Sequence, residues 1–208
     1  MRKLTENSNI FEIRDKIVKI YLKRILRRFR KLNQSLLAFD EVNSLSAVNE
    51  CYNDVVDMTI EAFKEIAKKT RYWLNGDDDF LLDLWLMGWL DEPSPVTHYK
   101  YRDEADRKRS RLFEAVESVT NSSERKKQID ISMKYFAKQF EQTADDLVDA
   151  LLIQTIKDNG FKYVRWCTME DARVCAECAA RNGKIYPIDS VNLRALHYNC
   201  RCFWIPVK

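Results

Sequence analysis

Five of the chain's six cysteines lie between Cys167 and Cys202, and four of those sit in two short clusters. The first cluster is Cys175-Ala176-Glu177-Cys178; the second, after the stretch 179–196, is His197-Tyr198-Asn199-Cys200-Arg201-Cys202. Two thiolates one tight turn apart can grip one side of a tetrahedral ion, and a second cluster folded back beside them completes the shell. Cys175, Cys178, His197, Cys200 and Cys202 make one donor more than such a site takes. Alternation along a strand points Cys200 and Cys202 to one side, and His197 fits either as a ligand or as a hydrogen-bond partner of a thiolate. Spacing alone leaves that choice open.

Zinc is the expected ion. Met1-Arg2-Lys3-Leu4-Thr5-Glu6 carries no apolar run behind its basic residues, so the N-terminus does not read as a secretory signal. The richest apolar stretch, Phe80 to Leu90, is interrupted by Asp83 and Gly88 and is too short to span a bilayer. A protein folded in a cytoplasm keeps its thiols reduced, and clustered thiols there serve metals more often than disulfides. A shell filled by protein donors leaves no position for water, so one zinc ion would act as a structural staple rather than a catalyst.

The elements that must position these donors change character near residue 160. The run 161–168 is aromatic and β-branched, Asn182-Gly183 reads as a hairpin turn ahead of Lys184-Ile185-Tyr186, and the run 200–207 reads as a closing strand. Only four Gly and four Pro punctuate all 208 residues, which leaves room for long helices upstream. Apolar residues at helical spacing, with Asn9 and Ser123 as caps, predict helices over 10–32, 40–71, 80–90, 104–119 and 123–159, with Gly160 as the last C-cap. The first two should pack antiparallel. The predicted fold class is α+β: a mainly α-helical region over 1–160, hinged at 91–101, and a small β-rich zinc-binding module over 161–208. A module of that size needs a cross-link to be stable.

The run Trp166-Cys167-Thr168, then Asp171-Ala172-Arg173-Val174-Cys175, the CxxC pair, Gly183 and His197-Tyr198-Asn199-Cys200-Arg201-Cys202 resembles the C-terminal signature of the phage Mu F-type head-morphogenesis family. That signature runs W, T, D-x-R-x-C-x-x-C, a glycine turn, then H-P-N-C-R-C and a short closing strand. The chain departs from it at Tyr198, where the family usually has proline, without loss of a ligand. The upstream helices resemble the family in kind only. The resemblance implies a non-enzymatic minor structural protein of a tailed-phage head. It would reside in the virion after assembly in the host cytoplasm, at the portal vertex, with portal, capsid or scaffold proteins as partners. It would act in head assembly or in DNA packaging and ejection. No membrane and no small-molecule substrate is expected.

A formal charge of +3 is the small difference between 35 basic and 32 acidic residues, so any affinity for polyanions must come from local clustering. Such a cluster exists on the first helix, where Lys23, Arg24, Arg27, Arg28, Arg30 and Lys31 could contact nucleic acid or an acidic partner, against the plainer alternative of a solvated face. Hence an alternative reading as an autonomous zinc-stabilised DNA-binding protein. A metal-dependent nuclease using His197 ranks last, because neither a general base nor an open metal position is evident. The helix of Trp85 and Trp89 reads as core before partner anchor, Asp145, Asp146 and Asp149 as a solvated face, and His98, Cys51 and Cys167 as ordinary residues.

Overall fold

The computed structural model describes residues 8–36, 41–74, 79–94, 98–119, 121–169, 172, 174–191 and 202–207. Their order is α1 (Ser8–Leu36), α2 (Glu41–Trp73), α3 (Asp79–Leu90), α4 (Tyr101–Glu117), α5 (Ser122–Asp158), β1 (Tyr163–Cys167), α6 (Ala176–Arg181), β2 (Ile185–Pro187), a short 3-10 turn Ile188–Ser190, and β3 (Phe203–Val207). The chain is mainly helical, with one small antiparallel sheet near its C-terminus, in the order β2-β1-β3. Chain contacts group it into two compact units, and α1, α2 and α5 contribute to both.

The helical unit comprises Asp15–Glu65 and Asp79–Glu141. α1 and α2 run antiparallel in it: Arg24 meets Glu61 at 3.6 Å, while Arg28, further along α1, meets Glu50 at 3.5 Å and bonds Asp54. Between them Phe29, Tyr52 and Phe136 pack at 5.8 Å from one another, and Phe63 packs on Tyr101 at 5.2 Å and on Phe140 at 5.6 Å. Aromatic contacts at such offsets add to the burial that holds helices together. The apolar period on α1 slips once. Ile20 is 58 % exposed, because the five-residue step to the buried Ile25 turns it out of the core stripe.

α3 is not buried all round. Leu82, Leu86 and Leu90 face the core, whereas Leu81, Leu84 and Met87 are exposed and Trp85 stacks on Trp89 at 6.2 Å. A short helix with apolar residues everywhere can bury only the side that meets a neighbour. Two caps also differ from expectation. Asn121, not Ser123, caps α5, its side-chain oxygen accepting from the Glu124 amide at 2.8 Å. Asn9 lies inside α1, which begins at Ser8.

The mixed unit comprises Met1–Arg14, Ile66–Asp78 and Gln142–Lys208. Here α5 is surrounded: Leu147, Val148, Ala150, Leu151, Leu152 and Ile153 are all buried. Asp145, Asp146 and Asp149 are not a solvated face. Asp146 and Asp149 are buried, Asp146 accepts from Gln142 at 2.8 Å, and Asp145 pairs with the buried Arg14 at 2.8 Å. Buried charge persists only where it is paired and hydrogen-bonded, and the partner on α1 is remote in sequence.

α5 ends as predicted at Gly160, whose φ of 75° is costly for other residues. The Gly160 amide bonds the Lys157 carbonyl at 2.8 Å and the Phe161 amide bonds the Ile156 carbonyl at 3.3 Å, the paired bonds of a Schellman cap. That turn delivers the chain into β1.

Candidate functional site

β1 is the central strand of the sheet, and its alternation decides what faces the core. Val164 and Trp166 are buried and Tyr163 and Arg165 are exposed. Opposite them, Trp204 of β3 pairs with Trp166, and Tyr186 of β2 pairs with Val164. The rings of Trp166 and Trp204 meet edge to face at 4.7 Å, and Tyr186 meets Trp204 at 5.6 Å. Phe203, on the other face, lies 6.1 Å from Phe11 of α1.

The cysteines enter this same core. Cys178, Cys202, Val164, Trp166, Trp204 and Ile188 form one buried cluster with Ile153 and Ile156 of α5, and Cys175, Val174 and Tyr186 pack against it. Cys175 occupies the N-cap of α6, where its sulfur accepts the Cys178 amide at 3.4 Å. Of the five predicted donors, Cys175, Cys178 and Cys202 are thus gathered on one cluster. His197 and Cys200 lie outside the described residues. Among the described residues, no three His, Cys, Asp or Glu side chains converge closely enough to hold a metal ion.

Asn182-Gly183 is a turn as expected, but of another kind. It links α6 to β2 rather than strand to strand, with Gly183 at φ 80° and the Lys184 amide bonded to the Arg181 carbonyl at 3.0 Å. Asn182 at φ −53°, ψ 129° makes this a type II turn, whose third position suits glycine. The turn then locks onto β1: the Gly183 amide bonds the Trp166 carbonyl at 2.8 Å, the Trp166 amide bonds the Lys184 carbonyl at 2.9 Å, and the Thr168 amide bonds the Asn182 side chain at 3.0 Å.

The predicted contact residues on α1 separate into two sets. Arg24 sits over the Tyr21 ring at 4.8 Å and pairs with Glu61, and Arg28 is held by Asp54 and Glu50. Burial works against the charge on Arg28, but its hydrogen bond to Asp54 and the acidic neighbours outweigh it and raise the guanidinium's pKa. Lys23, Arg27, Arg30 and Lys31 are exposed, as are Lys16 and Lys19 before them. Beneath, Cys51 is an ordinary buried thiol, pushed up to about 12 by desolvation against the opposing pull of Arg28. No helix among the described residues is long and apolar enough to cross a membrane.

No curated protein matches the chain, and no solved structure does. A family model described as phage Mu protein F like protein matches residues 106–205, beginning in α4 and running through α5 to β3. The likeness therefore reaches well upstream of the cysteine motif, into helices whose signature is a buried period rather than a string of named residues. The motif residues Trp166, Thr168, Cys175, Cys178, Gly183 and Cys202 meet around one strand and one turn of the fold. Over residues 106–205, just under half of its length, the chain is similar to the phage Mu F-like head-morphogenesis family.

Proposed function

We propose that the protein is a non-enzymatic minor structural component of a tailed-phage head, bound at the portal vertex and working with portal, capsid or scaffold proteins during head assembly. The observation that carries this reading is the family match over residues 106–205. No catalytic role is assigned to any residue of the tail. In this reading four of Cys175, Cys178, His197, Cys200 and Cys202 hold one zinc ion. The donor set suits zinc: two thiols share one helical turn, the Cys178 amide bonds the Cys175 sulfur, and Cys202 lies on the same core just ahead of β3. Bound zinc would supply a cross-link between α6 and the start of β3, with no free position for substrate.

Two measurements test the two halves separately. Elemental analysis of the purified protein should give one zinc per chain, lost in Cys178→Ser and Cys200→Ser together with thermal stability. A metal-free wild type with a stable tail would remove the zinc. Co-expression with the portal and shell proteins of the same gene cluster should bring the chain down with portal-containing particles. Shells assembling normally without ever retaining it would overturn the head assignment.

A further inference from the structure

The exposed cations of α1 form a single ridge, and we propose that this ridge is a binding surface for the phosphate backbone of duplex DNA. At 100° per residue, Lys16, Lys19, Lys23, Arg27, Arg30 and Lys31 fall on about one third of the helix circumference. All six are exposed, and their side chains make no ion pair or hydrogen bond among the described residues. No acidic residue occurs in α1 beyond Asp15. On the flank of α1, Glu50, Asp54 and Glu61 of α2 are engaged by Arg28 and Arg24, and Glu65 of α2 acts on Tyr21. Those three ion pairs join α1 to α2 and leave the outer row uncompensated.

From Lys16 to Lys31 the row extends about 22 Å at 1.5 Å per residue. Duplex DNA presents one phosphate per about 1.7 Å of axis, so a duplex lying along the ridge offers more anions than the ridge has cations. The composition favours a nucleic acid over an acidic protein. A protein interface normally anchors on buried aromatic or apolar side chains, and Ile20 is the sole apolar side chain on this row among the described residues. Backbone neutralisation by Lys and Arg needs no such anchor and reads no sequence. The ridge lies outside the matched residues 106–205, so this inference and the head assignment can fail independently.

The test uses the full chain and a short blunt DNA duplex of arbitrary sequence, with affinity read by fluorescence anisotropy at several salt concentrations. With about four to six phosphates neutralised, the slope of log K against log salt should be about −4 to −5. Arg27→Glu/Arg30→Glu should weaken binding at least about tenfold at low salt and flatten the slope by about two. Lys126→Glu/Lys134→Glu carries the same charge change on exposed positions of α5 and should stay within about twofold. Circular dichroism confirms that both variants are folded. Equal losses in the two variants would reduce the effect to net charge and overturn the ridge. Absence of wild-type binding to DNA at low salt, or tight binding to polyglutamate with none to DNA, would overturn duplex DNA as the occupant.

Discussion

In the helical unit, Phe29 of α1, Tyr52 of α2 and Phe136 of α5 meet in one aromatic knot; in the tail, Trp166 and Trp204 meet across neighbouring strands of one small sheet. The first knot joins three long helices, and its phenol, like that of Tyr101 beside Phe63, is matched within the unit. The Tyr52 hydroxyl lies 2.6 Å from the Ser132 hydroxyl, and the Tyr101 hydroxyl lies 2.5 Å from that of Thr59. Burial raises the pKa of both phenols, partly offset by those hydrogen bonds, so they stay neutral. The second knot rests on strands of three to five residues, takes two isoleucines from the end of α5, and includes two thiols in its buried set. Apolar packing that closes on itself needs no further fastening. A core this small, with sulfur inside it, is where a cross-link adds most.

Removal of metal by a strong chelator is the severest way to break that comparison. The tryptophan signal of the tail in near-ultraviolet dichroism should collapse while the far-ultraviolet helical signal largely survives. If both survive, the tail is held by packing alone, like the helices. Next come truncations of the two knots. Trp166→Ala and Phe136→Ala should each cost about 3–5 kcal/mol in denaturant unfolding, since each deletes a fully buried ring. Zinc content should fall in the first variant and hold in the second; metal loss in both would mean the tail's fastening does not depend on its own core.

Smaller effects sharpen the connection between α5 and β1. Gly160→Ala places a side chain at φ 75° and should cost about 1–2 kcal/mol by thermal unfolding, with Gly160→Asn costing less. Equal costs would show that the left-handed cap is not what sets the turn into β1. The smallest effect belongs to Glu141, whose pKa is raised by burial and then by the charge of Asp15. A carboxyl raised in the fold favours the folded state while protonated and loses that contribution as pH climbs through its folded pKa. Glu141→Gln should therefore equal the wild type in acid and be slightly more stable at neutral pH, as read by melting temperatures across that range.

The sequence by itself determined the helices, because a repeat of three and four residues admits one buried face. It also determined the strand of Trp166 by its aromatic and β-branched run, the C-cap at Gly160 and the turn at Gly183 by their need for positive φ, and the two cysteine clusters by their spacing. Only the tertiary structure decided which polar groups are used up. Arg24 and Arg28 look like their neighbours along α1, yet acids of α2 engage them and leave Lys16 to Lys31 as the open row. Asp145, Asp146 and Asp149 have the spacing of a solvated face, yet Arg14 and the packing around α5 bury or pair them. Local periodicity records how a segment folds on itself. Ion pairing and burial depend on which distant segment arrives beside it, and that choice is written in no single stretch of the chain.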